Sequence, residues 1–180
     1  IFCISEVCEK LCKSLGYTFR ETAEEVWNLS KEVLSREDMS VRGIIRKSGV
    51  CFIGTTDDPI DSLEWHEKIA ADKTISVVVG PSYRPDKAVN IHKAGWKEYI
   101  AKLAESVGKE SLPTMQDVLD ALTQRLEYFH ARGCKASDHG LDYVPFVKCT
   151  LEEADAAYRK ALRGEKLTVE EIEGYQTTIL

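Results

Sequence analysis

Val50-Cys51-Phe52-Ile53-Gly54-Thr55-Thr56-Asp57-Asp58-Pro59 is where the chain changes period. Val50 to Gly54 is an apolar run of strand length, closed by the polar cluster Thr55–Asp58. Asp58 suits a helix N-cap and Pro59 a first helical position, which predicts a helix starting at once and running to about Ala71. The stretch is therefore a βα unit with a tight turn. A second unit follows. Thr74 to Val79 is a β-branched run expected to be a strand buried on both faces. Gly80 to Asp86 is expected as a loop, followed by helical pattern through Val107. Thr114 caps a long helix in which Val118, Leu119, Leu122, Leu126 and Phe129 form one apolar stripe, and Gly133 closes it. Cys134–Ser137 is the third strand candidate, leading into Asp138-His139-Gly140. The boxes Thr150-x-x-Glu153 and Thr168-x-x-Glu171 open two further helices.

Upstream of Val50 the signals are helical. Thr22-Ala23-Glu24-Glu25 is a capping box, with Val26, Leu29, Val33 and Leu34 behind it. Ser40 caps a shorter helix through Ile44 and Ile45 that stops near Gly49. Cys8 and Cys12 share a helical stripe with Ile4, Leu11 and Leu15, where packing is the plain role. The expected organisation is a helical segment over 1–49 and a βα region over 50–180, without internal repeats. The chain opens on Ile1 and closes on the apolar Leu180, so both ends read as cut from something longer.

Composition bounds the function classes. With 43% hydrophobic and 30% charged residues in 180, the chain can bury a real core. It is shorter than the roughly 200 to 250 residues of a closed (β/α)₈ barrel. A net charge of -6, with 24 basic residues spread along the chain, argues against nucleic acid as a partner. No apolar run approaches the length of a membrane span and no export signal opens the chain, which predicts a cytoplasmic protein with reduced thiols. Its six cysteines include no C-x-x-C pair. There is also no His-x-His or His-x-x-x-His, so no complete transition-metal site is expected within the chain.

Strands alternating with helices imply parallel pairing through right-handed crossovers, which puts every strand C-terminus on one side. The clusters around Thr56-Asp57, Arg84 and Asp138-His139 should therefore meet at one face, where α/β folds carry their sites. Asp57 and Asp58 suit general acid–base work or metal ligation, with a helix cap as the plainer role for Asp58. Arg84, in a stiff loop between Tyr83 and Pro85, can grip a carboxylate with its planar fork or simply pair with Asp86. Asp138 beside His139 suits proton transfer. Strand alternation directs only one of the two into the site, and Asp138 is favoured, with His139 open to a structural role. His66, His92 and His130 fall in helical stretches and read as surface or helix-packing residues. Trp27, Trp65 and Trp96 sit at helical spacings that suit core packing.

Taken together, three motifs carry a resemblance. Thr55-Thr56-Asp57-Asp58-Pro59 with Ser62-Leu63-Glu64-x-His66, then Tyr83-Arg84-Pro85-Asp86-Lys87-Ala88 with Gly95-Trp96, then Gly133-Cys134-Lys135-Ala136-Ser137-Asp138-His139 resemble, in order and spacing, the middle of uronate isomerase (glucuronate isomerase). The similarity runs from about Thr22 through Gly164-Glu165-Lys166-Leu167-Thr168 to the end. The resemblance implies an amidohydrolase-superfamily enzyme of glucuronate catabolism that interconverts aldose and ketose sugar acids. D-glucuronate with D-fructuronate and D-galacturonate with D-tagaturonate are the implied pairs. It also implies an α/β fold in which this chain is a partial (β/α)₈ barrel of about three parallel βα units preceded by a helical segment. The segment before Val50 then belongs to an insertion, and the strands are the second, third and fourth. By the same resemblance Asp138 has an acid–base or hydrogen-bonding role, Arg84 binds a carboxylate or hydroxyl, and Thr56, Asp57 and His139 support substrate binding. The family's divalent metal, such as zinc, is implied to be held by a His-x-His and other residues with no counterpart here, so the chain alone binds none and is expected to be inactive. The full-length form is implied to be a homo-oligomer. The alternatives are a non-catalytic sugar-acid-binding module and an inert fragment.

Overall fold

The computed structural model describes residues 23–180. Thr22 of the first capping box, and the stripe with Cys8 and Cys12, lie outside the described residues. Two compact units are distinguished, one of residues up to Cys51 with Ile75–Val77, the other of Phe52–Thr74 with Val78–Leu180.

In the first unit, helix α1 (Ala23–Leu34) carries Glu24 and Glu25 in its first turn and Lys31 in its last, charges that complement its dipole. Trp27 is 63% exposed, against the expectation of core packing; Lys31 lies over its ring instead. Helix α2 (Val41–Lys47) starts as predicted at Ser40, whose side chain accepts from the Gly43 N–H.

The second unit is built on a three-stranded parallel sheet in the order β1 (Phe52–Asp57), β2 (Val78–Tyr83), β3 (Ala136–Ser137). Register runs from Phe52↔Val78 to Asp57↔Tyr83, then Ser82↔Ala136 and Tyr83↔Ser137. Its helices are α3 (Glu64–Ala71), α4 (Asp86–Val89), α5 (Trp96–Ser106), α6 (Met115–His130), α7 (Leu151–Leu162) and α8 (Val169–Ile179). Thr150 and Thr168 close the capping boxes expected of them, and Thr114, expected as a cap, forms a box with Asp117.

Three expectations are corrected. First, β2 begins at Val78 and takes in Gly80, Pro81 and Ser82, which the sequence places in a loop. Pro81 is tolerated because β3 reaches only Ser82 and Tyr83, so no strand faces position 81 on that side. Val78 is 63% exposed, so the strand is not buried on both faces. Second, Asp58-Pro59 does not start a helix. Arg125, 7% exposed, donates from Nε to the Pro59 carbonyl at 2.5 Å and from Nη2 to the Asp61 carbonyl at 2.7 Å, and Tyr128 donates to the Ser62 carbonyl at 2.6 Å. These are the carbonyls a first helical turn needs, so α3 waits until Glu64, behind Leu63 in a left-handed conformation (φ 56°). Third, Leu126 and Trp65 face solvent, and the stripe of α6 is completed by Arg125 and Phe129.

Packing centres on aromatic rings. Tyr83 meets Phe129 edge-on with centroids 5.2 Å apart, and Trp96 meets Tyr158 and Tyr175 at 5.5 and 5.9 Å. Each polar tip finds a carbonyl: Tyr83 at Leu122, Tyr158 at Leu112, Tyr175 and the Trp96 indole both at Ala88.

Two outcomes follow. Arg125→Met strands the Pro59 and Asp61 carbonyls and should lower stability by about 3 kcal/mol in urea titration; Arg125→Lys, lacking the planar fork, should recover little. Burial pushes the Tyr83, Tyr158 and Tyr175 hydroxyls well above the ordinary tyrosine range. The fold therefore holds these protons more tightly than the unfolded chain does. Stability is fully present below about pH 10 and falls as pH rises beyond it, which urea midpoints across about pH 8 to 11 should record. Tyr175→Phe should flatten that fall.

Candidate functional site

The strand C-termini meet as expected from parallel pairing. The Arg84 N–H donates to the Asp57 carbonyl at 3.0 Å, and the Asp138 N–H to the Tyr83 carbonyl at 3.0 Å. These two bonds continue the ladder past the ends of β2 and β3 and bring residues 57, 84 and 138 side by side.

Around Arg84 the side chains converge. Its Nε donates to Asp86 Oδ2 at 2.9 Å and lies 3.8 Å from Asp138 Oδ2. Asp86 Oδ2 also accepts from the Gly140 N–H at 2.7 Å, and Asp86 Oδ1 lies 3.4 Å from His139 Nδ1. A Cβ at Gly140 would collide with Arg84 Nη2 and come within 3.1 Å of Asp86 Oδ2, so the glycine is what lets the guanidinium lie there. With Nε engaged, the edge carrying the two Nη groups makes no hydrogen bond among the described residues. That edge is the one suited to a bidentate carboxylate. Asp138 and His139 both join this cluster, whereas strand alternation admits only one. The reason is that β3 ends at Ser137, so neither residue is bound by the pleat.

Thr56 and Asp57 part company. Direct pairing puts Asp57 on the face of Tyr83, which α6 covers, while Thr56 shares the opposite face with Ser82. There Asp57 belongs to a small chain of bonds. Thr55 Oγ1 donates to Asp57 Oδ2 at 2.5 Å, and His66 Nε2 lies 2.7 Å from Thr55 Oγ1 and 3.7 Å from Asp57 Oδ2. A carboxylate only accepts, so the threonine proton goes to Asp57, and Thr55 accepts from His66 Nε2–H. His66, read from sequence as a packing residue, thus ties α3 to the end of β1; its place in Ser62-Leu63-Glu64-x-His66 is the one signal that singles it out. Asp58 is not a helix cap. It accepts from the Tyr99 hydroxyl at 2.7 Å and pairs with Lys87 at 3.2 Å. Burial, with Asp58 beside it, pushes the Tyr99 hydroxyl far above its ordinary range. Asp86 is the residue the sequence undervalues, weighed there only as a partner for Arg84.

The donor set does not fit a divalent metal. Among the described residues no three His, Cys, Asp or Glu side chains are grouped to hold one. Asp86 and Asp138 both lie against the Arg84 cation, which disfavours a second cation between them. Among the described residues, no helix is long and apolar enough to cross a membrane.

A profile of the glucuronate isomerase family matches residues 15–180. The chain belongs to the glucuronate isomerase family. The uronate isomerase of Lachnoclostridium phytofermentans is 49% identical over 161 residues, and that of Caldanaerobacter subterraneus subsp. tengcongensis 44% over 157. These alignments take in 89% and 87% of this chain but 34% of each relative, so the chain spans about a third of the length of the curated relatives it matches. The crystal structure of uronate isomerase from Thermotoga maritima superposes with a TM-score of 0.80 at 39% identity, covering 88% of this chain and 34% of that one. Glucuronate isomerase from Caulobacter crescentus shares the fold, with a TM-score of 0.72 at 23% identity over 81% of this chain and 30% of that one.

Gly140→Ala should displace Arg84, because Asp86 already fixes Nε and the new methyl takes the space of Nη2. A crystal structure of the variant with the guanidinium unmoved would contradict this account.

Proposed function

We propose that this family member contributes one wall of a uronate isomerase active site, with its three strands as the second, third and fourth of a (β/α)₈ barrel. Support for the barrel reading comes from the two faces of the sheet. One is covered by helices; the other carries Gly54, Thr56, Gly80 and Ser82, with Phe52 49% exposed and Val78 63% exposed, as an inward face awaiting further strands would.

The observation that carries the functional reading is Arg84, fixed through Nε by Asp86, with an Nη edge that makes no hydrogen bond among the described residues at the strand ends. Such an edge binds a sugar-acid carboxylate through two parallel hydrogen bonds. Asp138, 3.8 Å from Arg84 Nε, supplies acid–base or hydrogen-bonding support beside it. His139 adds an imidazole within the same cluster. Thr56 shares the inward face with Ser82, and Asp57 supports the site from behind through its backbone bond to Arg84. The chemistry is aldose–ketose isomerisation: a proton leaves carbon 2 of D-glucuronate, an enediol forms, and a proton is delivered to carbon 1 to give D-fructuronate. Among the described residues no ligand set for the divalent metal is grouped.

The test is conversion of D-glucuronate to D-fructuronate by the intact gene product, with Arg84→Met alongside. Loss of a charge-assisted carboxylate pair should raise KM about 10- to 100-fold. An unchanged KM would remove Arg84 from substrate binding, and absence of conversion by the unmutated protein would overturn the isomerase reading.

A further inference from the structure

Asp86 and His139 form a pair that the isomerase reading does not use. Asp86 Oδ2 has two donors, Arg84 Nε at 2.9 Å and the Gly140 N–H at 2.7 Å. Its other oxygen, Oδ1, is buried with no hydrogen-bond partner, and so is His139 Nδ1. The two atoms lie 3.4 Å apart, at the long end of hydrogen-bond reach. A carboxylate oxygen only accepts, so an unprotonated Nδ1 here would set two lone pairs against each other and leave both atoms unsatisfied. A proton on Nδ1 turns the contact into a donor facing an acceptor. In the neutral imidazole the other nitrogen, Nε2, then carries the lone pair.

We propose that Asp86 is a positioning residue that holds His139 as its Nδ1–H tautomer, leaving Nε2 as the only acceptor of the imidazole. One carboxylate thus orients both the cation and the base of the cluster: Oδ2 fixes Arg84 and the Gly140 backbone, Oδ1 fixes His139. The tautomer assignment stands on geometry alone. Its use, with Nε2 accepting a proton or hydrogen bond from a sugar hydroxyl while Arg84 holds the carboxylate, rests on the uronate isomerase reading.

Asp86→Asn separates this from a general structural role. An amide has one acceptor, and the two donors at Oδ2 claim it. Its NH₂ must then face His139 Nδ1, which is forced to accept, moving the proton to Nε2. The experiment is ¹⁵N NMR of the intact gene product labelled at histidine, in mildly alkaline buffer, with the His139 signals identified by their loss in His139→Gln. The expected result is an Nδ1–H tautomer in the unmutated protein and an Nε2–H tautomer in Asp86→Asn. An Nε2–H tautomer before mutation, or an unchanged one after it, overturns the proposal. On D-glucuronate, Asp86→Asn should lower kcat by at least about tenfold while KM moves less than about threefold, because Arg84 keeps its anchor. Inversion of the tautomer with kcat unchanged would refute the use of Nε2. If the unmutated protein does not turn over uronate, the isomerase reading fails by itself, and the NMR result still decides the tautomer.

Discussion

Two backbone hydrogen bonds just beyond the sheet, from Arg84 N–H to the Asp57 carbonyl and from Asp138 N–H to the Tyr83 carbonyl, set the frame for everything at this end of the molecule. Parallel strands in register necessarily stop on one side, but side-by-side termini do not by themselves make a site. The extra pair of bonds carries the ladder into the connecting segments and fixes the origin of each loop relative to its neighbours. Arg84 then needs only its own side chain to reach Asp86 and Asp138, and Gly140 closes over it. Tyr83 is the residue in common: its backbone takes part in the ladder on both sides, while its ring packs on Phe129 and its hydroxyl bonds the Leu122 carbonyl. The position of the polar cluster is thereby tied to the aromatic core.

What was legible in the sequence is what depends on neighbours in sequence. The boxes at Thr114, Thr150 and Thr168 and the cap at Ser40 form where their residue types place them, because a hydroxyl and an amide three residues on find each other within one turn. Convergence of the three polar clusters was equally legible, since alternating strands and helices leave little choice of topology. The segment after Asp58 was not. Its carbonyls are taken by Arg125 and Tyr128, more than sixty residues away, and no local signal announces that competition. The end of β2 is hidden for a related reason: Pro81 argues against a strand unless the short reach of β3 is known. Trp27 and Trp65 show the limit of periodicity, which locates a face but not whether anything packs on it.

The candidate site divides the same way. That Arg84 would meet Asp138 followed from strand order. That Thr56 and Asp57 would face opposite sides follows from the pleat, yet it acquires meaning only with the helices on one face and not the other. The part Asp86 plays was hidden because a short-range partner for Arg84 looks like an ordinary surface pair. Only in three dimensions does Gly140 meet the oxygen that already holds Arg84 and His139 come up beside the other.

The smallest element has the largest leverage on this arrangement. Strand β3 is Ala136 and Ser137 alone, both exposed, yet Asp138, His139 and Gly140 hang directly from it. Few buried contacts defend so short a strand, so its opening should require far less free energy than opening β1 from β2, which pair over six positions. The cluster is thus assembled from one rigid wall and one wall that can peel away. Any anion that bridges Arg84 to the residues beyond Ser137 would pin that wall down, and its binding free energy would appear as slowed amide exchange in β3 before it appeared anywhere else in the sheet.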